Sequence, residues 1–173
     1  MATDLSLSSV NQFLALINTA NSTALNTSLI TISNPTAHVG GDPGSTDVVV
    51  TSIADAIYSN KGLIGSRTIN YTRLDMANFG SRGSLEFILG DSATVADLIT
   101  AFNLRFGTAL DSTDYDNSLT IPAFDNTGTD VVINANANSL IYRGSVTVVI
   151  KKSGVALSTI ITTPVLNGMA FPS

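Results

Sequence analysis

Residues 94–107 read TVADLITAFNLRFG, and their reading decides the fold. Thr94 stands where a helix N-cap belongs, and Asp97 follows three residues later, where a carboxylate meets the positive end of the helix dipole. Val95, Leu98, Ile99, Phe102 and Phe106 recur at helical spacing and form one apolar stripe. Gly107 is placed to end the helix in a left-handed conformation. The stretch predicts a helix over residues 95–106. Just before it, Leu85–Leu89 (LEFIL) reads as a strand, with Gly80–Ser84 as the preceding loop or hairpin tip.

Further upstream, Arg67–Leu74 (RTINYTRL) sets Ile69 and Tyr71 on one face and Asn70 and Thr72 on the other, a strand with one wetter face. Ser59–Gly65 is turn-like, and Asp47–Ile53 (DVVVTSI) is a buried strand rich in β-branched residues. Residues 34–46 (NPTAHVGGDPGST) are dense in Gly and Pro and read as an exposed loop. Leu29–Ile32 is a short strand. A first helix is predicted at about 9–20: Ser9 and Gln12 have capping-box spacing, and Val10, Phe13, Leu14 and Ile17 share one face.

Downstream, Asp111–Asn117 is a polar turn and Leu119–Ile121 a short strand ahead of Pro122. Asn126–Gly128 turns the chain into a strand at Thr129–Ala135, Leu140–Tyr142 follows, and Gly144 is placed for a bulge before the strand Val146–Lys151. Lys152–Gly154 turns into a last strand, Val155–Thr162. The expected fold is α+β and strand-rich, with a mainly antiparallel sheet and two amphipathic helices. Residues 1–154 form a single domain, and 155–173 add a strand and an extended C-terminal arm. Val165, Leu166, Met169 and Phe171 are that arm's interface pegs. No internal repeat stands out.

Composition narrows the function. Only 12% of the 173 residues are charged, about half the share usual in soluble domains. Ser, Thr, Asn and Gly supply the polar surface, and short neutral side chains cost little entropy and no charge desolvation when covered by another protein. The mean hydropathy of +0.32 points the same way, to apolar surface buried between subunits. The net charge of -5 and the scatter of eight basic residues from Lys61 onward argue against nucleic-acid binding. The start MATDLSLSS lacks the basic and apolar regions of a secretory signal, and no run is long enough to span a membrane. The absence of cysteine excludes disulfides and thiolate chemistry.

Catalytic signatures are weak. His38 is the only histidine, sits in a Gly/Pro loop, and has no G-x-S-x-G elbow to serve; it reads as a solvated loop residue. Asp111, Asp114 and Asp116 make a D-x-x-D-x-D cluster that could gather calcium, although turn chemistry explains the same spacing. Glu86 is the only glutamate, so a glycosidase pair would need two aspartates that nothing singles out. Neither Gly40–Gly41 nor Gly80–Gly83 forms a phosphate loop. Arg67, Arg73, Arg82, Arg105 and Arg143 suit interfaces, where guanidinium groups fork onto carboxylates and carbonyls, and Arg73 could pair locally with Asp75. No enzyme activity and no cofactor are expected.

Four stretches, VNQFLALINTAN, GSRTINYTRLDM, TVADLITAFNLRFGTALDSTDYDN and NSLIYRGSVTVVI, resemble a family of tailed-bacteriophage virion structural proteins common in large myophages. That family has an Asn-rich helix, a Tyr-x-Arg-Leu strand, then a helix ending in an aromatic-Gly-x-x-Leu turn with acidic residues after it. The matching residues are Tyr71, Arg73, Leu74, Phe106, Gly107, Leu110, Asp114 and Asp116. The resemblance covers about two thirds of the chain, excludes Val155–Ser173, and carries no active-site residue. It implies a virion protein present in repeated copies or as a homo-oligomer. Its partners would be other virion proteins, such as the major capsid protein or neck and tail proteins. A capsid-exterior decoration or accessory role is favoured. The alternatives are neck, tail or fibre attachment, or a host-glycan-binding module using Tyr58, Phe79 and Tyr115 as exposed aromatics.

Overall fold

A computed structural model describes residues 4–41 and 45–154. The chain opens with helix α1 (Ser9–Asn21) and strands β1 (Ile30–Ile32), β2 (Thr36–Ala37) and β3 (Ser45–Ser52). A small hairpin, β4 (Ile57–Tyr58) and β5 (Lys61–Gly62), leads to β6 (Ser66–Thr72) and β7 (Leu74–Asp75). A 3₁₀ helix (Met76–Ser81) and β8 (Glu86–Leu89) precede α2 (Val95–Phe106). β9 (Thr129–Asn134), β10 (Tyr142–Arg143) and β11 (Ser145–Lys152) complete the described order. β3 pairs antiparallel with β1, β2 and β6, and β11 pairs antiparallel with β9. β8 joins β11 in parallel, as β7 joins β10. The class is the strand-rich, mainly antiparallel α+β fold that the sequence predicts.

Helix α2 follows its local rules. Thr94 accepts from the Asp97 N–H at 3.3 Å while the Asp97 carboxylate accepts from the Thr94 N–H at 2.7 Å, a complete capping box. Gly107 closes the helix at φ +62°. Leu98, Ile99 and Phe102 are buried, and Phe102 packs edge-on to Phe79 at 4.9 Å and against Phe106 at 4.7 Å.

Four local expectations need correction. Ser9 and Gln12 form no capping box: Ser8 holds the cap position without a side-chain bond, and the buried Ser9 hydroxyl donates to Asp114 at 2.5 Å. Gln12 donates to the Leu7 carbonyl at 2.7 Å, and Val10 lies on the outer side, so the inward face of α1 begins polar. Residues 34–46 are not all loop: β2 extends the line of β1 after a bulge, where the Ser33 hydroxyl accepts from the Val49 N–H at 2.9 Å. Leu119–Ile121 is not a strand: Leu119 N–H closes a turn onto the Asp116 carbonyl, and Pro122 has no N–H to donate to a ladder. The 3₁₀ helix was not legible; the Asp75 side chain starts it by accepting from the Ala77 N–H at 3.1 Å.

The fold also contains an internal repeat. The order helix, edge segment, strand, strand occurs in residues 9–72 and again in 95–152. Asn18 clasps the turn after α1, donating to the Leu25 carbonyl and accepting from Leu25 N–H and the Thr23 hydroxyl. Asn103 does the same with Leu110 and Thr108 after α2. Asn26 and Asp111 then make matching turns with Ser28 and Thr113. The Ile53 N–H bonds the Leu29 carbonyl as the Asn136 N–H bonds that of Asp114. Thr46-Asp47-Val48-Val49 corresponds to Thr129-Asp130-Val131-Val132, and Gly65-Ser66-x-Thr68 to Gly144-Ser145-x-Thr147. The register agrees under this alignment: Val48 faces Ile69 and Thr51 faces Ser66, as Val131 faces Val148 and Asn134 faces Ser145.

Candidate docking surface

Among the described residues, the two halves share a backbone plan but not a covering. The segment after β6 lies over the second half. Its Leu74 N–H bonds the Ile141 carbonyl at 2.7 Å, and Asp75 pairs with Arg143 at 3.2 Å. Phe79 reaches Tyr142, and β8 runs along β11. Gly144 permits this approach, since a Cβ there would stand 2.7 Å from Asp75 Oδ1 and its φ is +71°. As a result Leu110, Tyr142, Val146, Val148 and Ile150 are all buried.

Their counterparts in the first half are Leu25, Leu63, Arg67, Ile69 and Tyr71, and these are only partly buried or exposed. Ile64, which corresponds to Arg143, is 91% exposed, and Ile57 nearby is 67% exposed. A hollow of about 180 Å³ opens there, with Leu25, Ile30, Val50, Leu63 and Ile64 among its lining. The residues that stand after β11 as the covering segment stands after β6 begin at Ser153. Val155–Thr162 and the pegs Val165, Leu166, Met169 and Phe171 lie outside the described residues.

Polar keys fix the halves to each other. Tyr71 donates to the Leu140 carbonyl at 2.6 Å, and burial pushes its phenol up to about 12. Arg73 forks onto the Ala137 and Ser139 carbonyls, both at 3.1 Å, so it does not pair with Asp75; burial lowers its pKa. The three residues Tyr71, Arg73 and Leu74 thus all bind the loop ahead of β11. Asp114 is fully buried and accepts from Ser9 at 2.5 Å and Ser139 at 2.7 Å. Burial raises its pKa, the two serine hydroxyls oppose the rise, and neighbouring Asp111 adds to it.

The acidic cluster is dispersed. Asp111 accepts from Thr113, Asp116 from the Ser118 N–H, and Asp114 turns inward to the two serines. Among the described residues, no three His, Asp or Glu side chains gather to hold a metal ion. His38 is not a free loop residue: its ring lies 2.9 Å from Asp47, which also accepts from Asn70 at 3.0 Å. Asn70 first, then His38, hold the Asp47 carboxyl below its usual range. Sequence missed this pair because β2 brings residues nine apart across the strand. Ser45 sits opposite His38, but its hydroxyl bonds Asn70 at 3.1 Å on an exposed sheet face.

A second groove of about 740 Å³ runs between α1, β1, the 112–117 turn and the 136–140 loop. Among the described residues, Ser, Thr, Asn and aliphatic side chains line it, with no charged or aromatic one. The aromatics expected on loops are not exposed: Phe79 is buried, Tyr58 and Tyr115 are partly buried, and Tyr58 accepts from the Ala24 N–H. No helix among the described residues is long and apolar enough to cross a membrane. No curated protein and no solved structure matches the chain. A family model matches residues 2–173, and the chain belongs to that family, described as a family of unknown function (DUF7941).

Proposed function

We propose that this protein is a non-enzymatic structural subunit of a tailed-phage particle that works by docking on neighbouring virion proteins. The observation that carries the reading is the apolar strip at Leu25, Leu63 and Ile64, left open among the described residues where the equivalent strip of the second half is covered. An apolar strip that is covered in one half and, among the described residues, uncovered in the other is a surface suited to a partner. The uncharged groove between the halves supports the same reading, because neutral hydroxyls and amides can be covered without stranding a charge.

A decoration or accessory place on the capsid exterior fits many modest contacts repeated over a lattice, where avidity replaces one tight interface. Neck, tail or fibre attachment would use the same surface. A glycan-binding module is less supported, since neither groove is lined by an aromatic ring on which a sugar could stack. The test is mass spectrometry of gradient-purified particles from the source virus. The protein should co-sediment with intact particles in repeated copies. Its recovery only in the soluble fraction would contradict the reading.

A further inference from the structure

The repeat says what belongs on the open strip. In the second half the covering is supplied by the chain that leaves β6: β7 pairs with β10, Asp75 meets Arg143, and Phe79 enters the apolar surface. In the first half the same places are Leu63 and Ile64, at the end of the β4–β5 hairpin, and the hollow beside them. The segment equivalent to the cover is the one that leaves β11. Under the repeat, Ser153 and Gly154 correspond to Leu74 and Asp75. That segment carries no ionisable side chain from Ser153 to Ser173, and it includes Val155, Ile160, Ile161, Val165 and Leu166. The hollow's aliphatic lining, Leu25, Ile30, Val50, Leu63 and Ile64, suits an uncharged, aliphatic segment, and Arg67, also in the lining, can donate to that segment's backbone carbonyls.

We infer that copies of this protein join head to tail, with residues 153–173 of one copy covering the first half of the next as residues 74–89 cover the second half within each chain. Such a contact is heterologous: the donor and acceptor surfaces differ, so a copy engaged through one of them keeps the other free for a further neighbour. Repetition gives a ring if the rotation closes and a filament if it does not. Pairing of Ser153–Gly154 with Leu63–Ile64 would reproduce the parallel β7–β10 register. The described chain does not make this contact on itself, since Ile64 is 91% exposed and no heavy atom lies within 4 Å of where a Gly154 side chain would start. The inference rests on the assembly reading and adds the partner, a second copy.

The chain has no cysteine, so engineered disulfides report contact without background. Full-length Ile64→Cys and Gly154→Cys proteins are mixed under mild oxidation. The control mixes Ile64→Cys with Asn126→Cys, an exposed turn position in the second half that lies outside both grooves. The mixed disulfide should form on the order of a hundredfold faster than in the control, because docking replaces micromolar with millimolar local concentration. A second mixture, in which the Ile64→Cys partner also carries Leu63→Asp, should fall to the control rate. Equal rates in the test and control mixtures would overturn the inference. So would a disulfide that forms only within one chain carrying both cysteines, since the segment would then fold back on its own first half. Both results are read in solution, so the inference can fail while particle association stands, and the reverse.

Discussion

The two halves of the molecule are a controlled comparison. They share a helix, an Asn-clasped turn and a two-strand register, yet among the described residues the second half is covered and the first is not. Phe102 and Ile17 stand at the same place in α2 and α1, but only Phe102 joins a ring cluster with Phe79, Phe87 and Phe106. Both repeat units bury their own helix and central strand, and the further burial of the second half is set by what the connecting segment brings.

The largest expected effect tests that contrast. Phe102→Ala should cost about 3–5 kcal/mol, and Ile17→Ala, at a less enclosed site, should fall near the ~2 kcal/mol end of such truncations. Chemical denaturation of both variants measures it; equal losses would mean that the covering adds nothing to the core. Next comes the key between the halves. Asp114→Ala strips the acceptor from two buried serine hydroxyls and should cost about 1–3 kcal/mol.

Asp114→Asn isolates the charge. Because burial raises the Asp114 pKa, its ionisation opposes folding. The benefit of the neutral acid is complete below the unfolded value of about 3.9 and is lost as pH rises through the higher folded value. Stability of the wild type relative to Asp114→Asn should therefore fall as pH rises from about 4. A flat or rising difference would show that the serine hydrogen bonds outweigh burial. Asp47, Asp97, Asp116 and Asp125 are shifted downward and act in the opposite sense, which is why the difference and not the raw profile is diagnostic.

The smallest effect compares the two helix starts. Thr94→Ala should cost about 1 kcal/mol, whereas Ser8→Ala, which loses no capping bond, should stay within about 0.5 kcal/mol. Thermal unfolding of the pair decides it. Similar losses would mean that Ser8 caps α1 after all.

These contrasts mark what was legible. α2 could be read because its signals are local: Thr94 and Asp97 are three residues apart, the apolar stripe has one period, and Gly107 ends it. The strands at 47–53, 67–74, 85–89 and 146–151 were legible from β-branched and apolar runs or from alternation for the same reason, to within a residue or two. Ser9 was misread because its partner, Asp114, lies 105 residues away, and a local capping-box spacing hid it. The repeat escaped because insertions such as the β4–β5 hairpin shift the spacing between equivalent residues, and few of those residues are identical. The open strip was invisible for a related reason: Leu25 and Leu110 look alike in sequence, and only the fold shows that one of them is less covered.

Immunogold labelling of intact tailed-phage particles purified from the protein's source, with an antibody to this protein, tests the proposed assembly role most directly. The account predicts dense label on the particle surface, spread over the head for a decoration role or gathered at the neck or tail for attachment. Absence of label on every intact particle, with the antibody shown to bind the native protein, would contradict the assembly role.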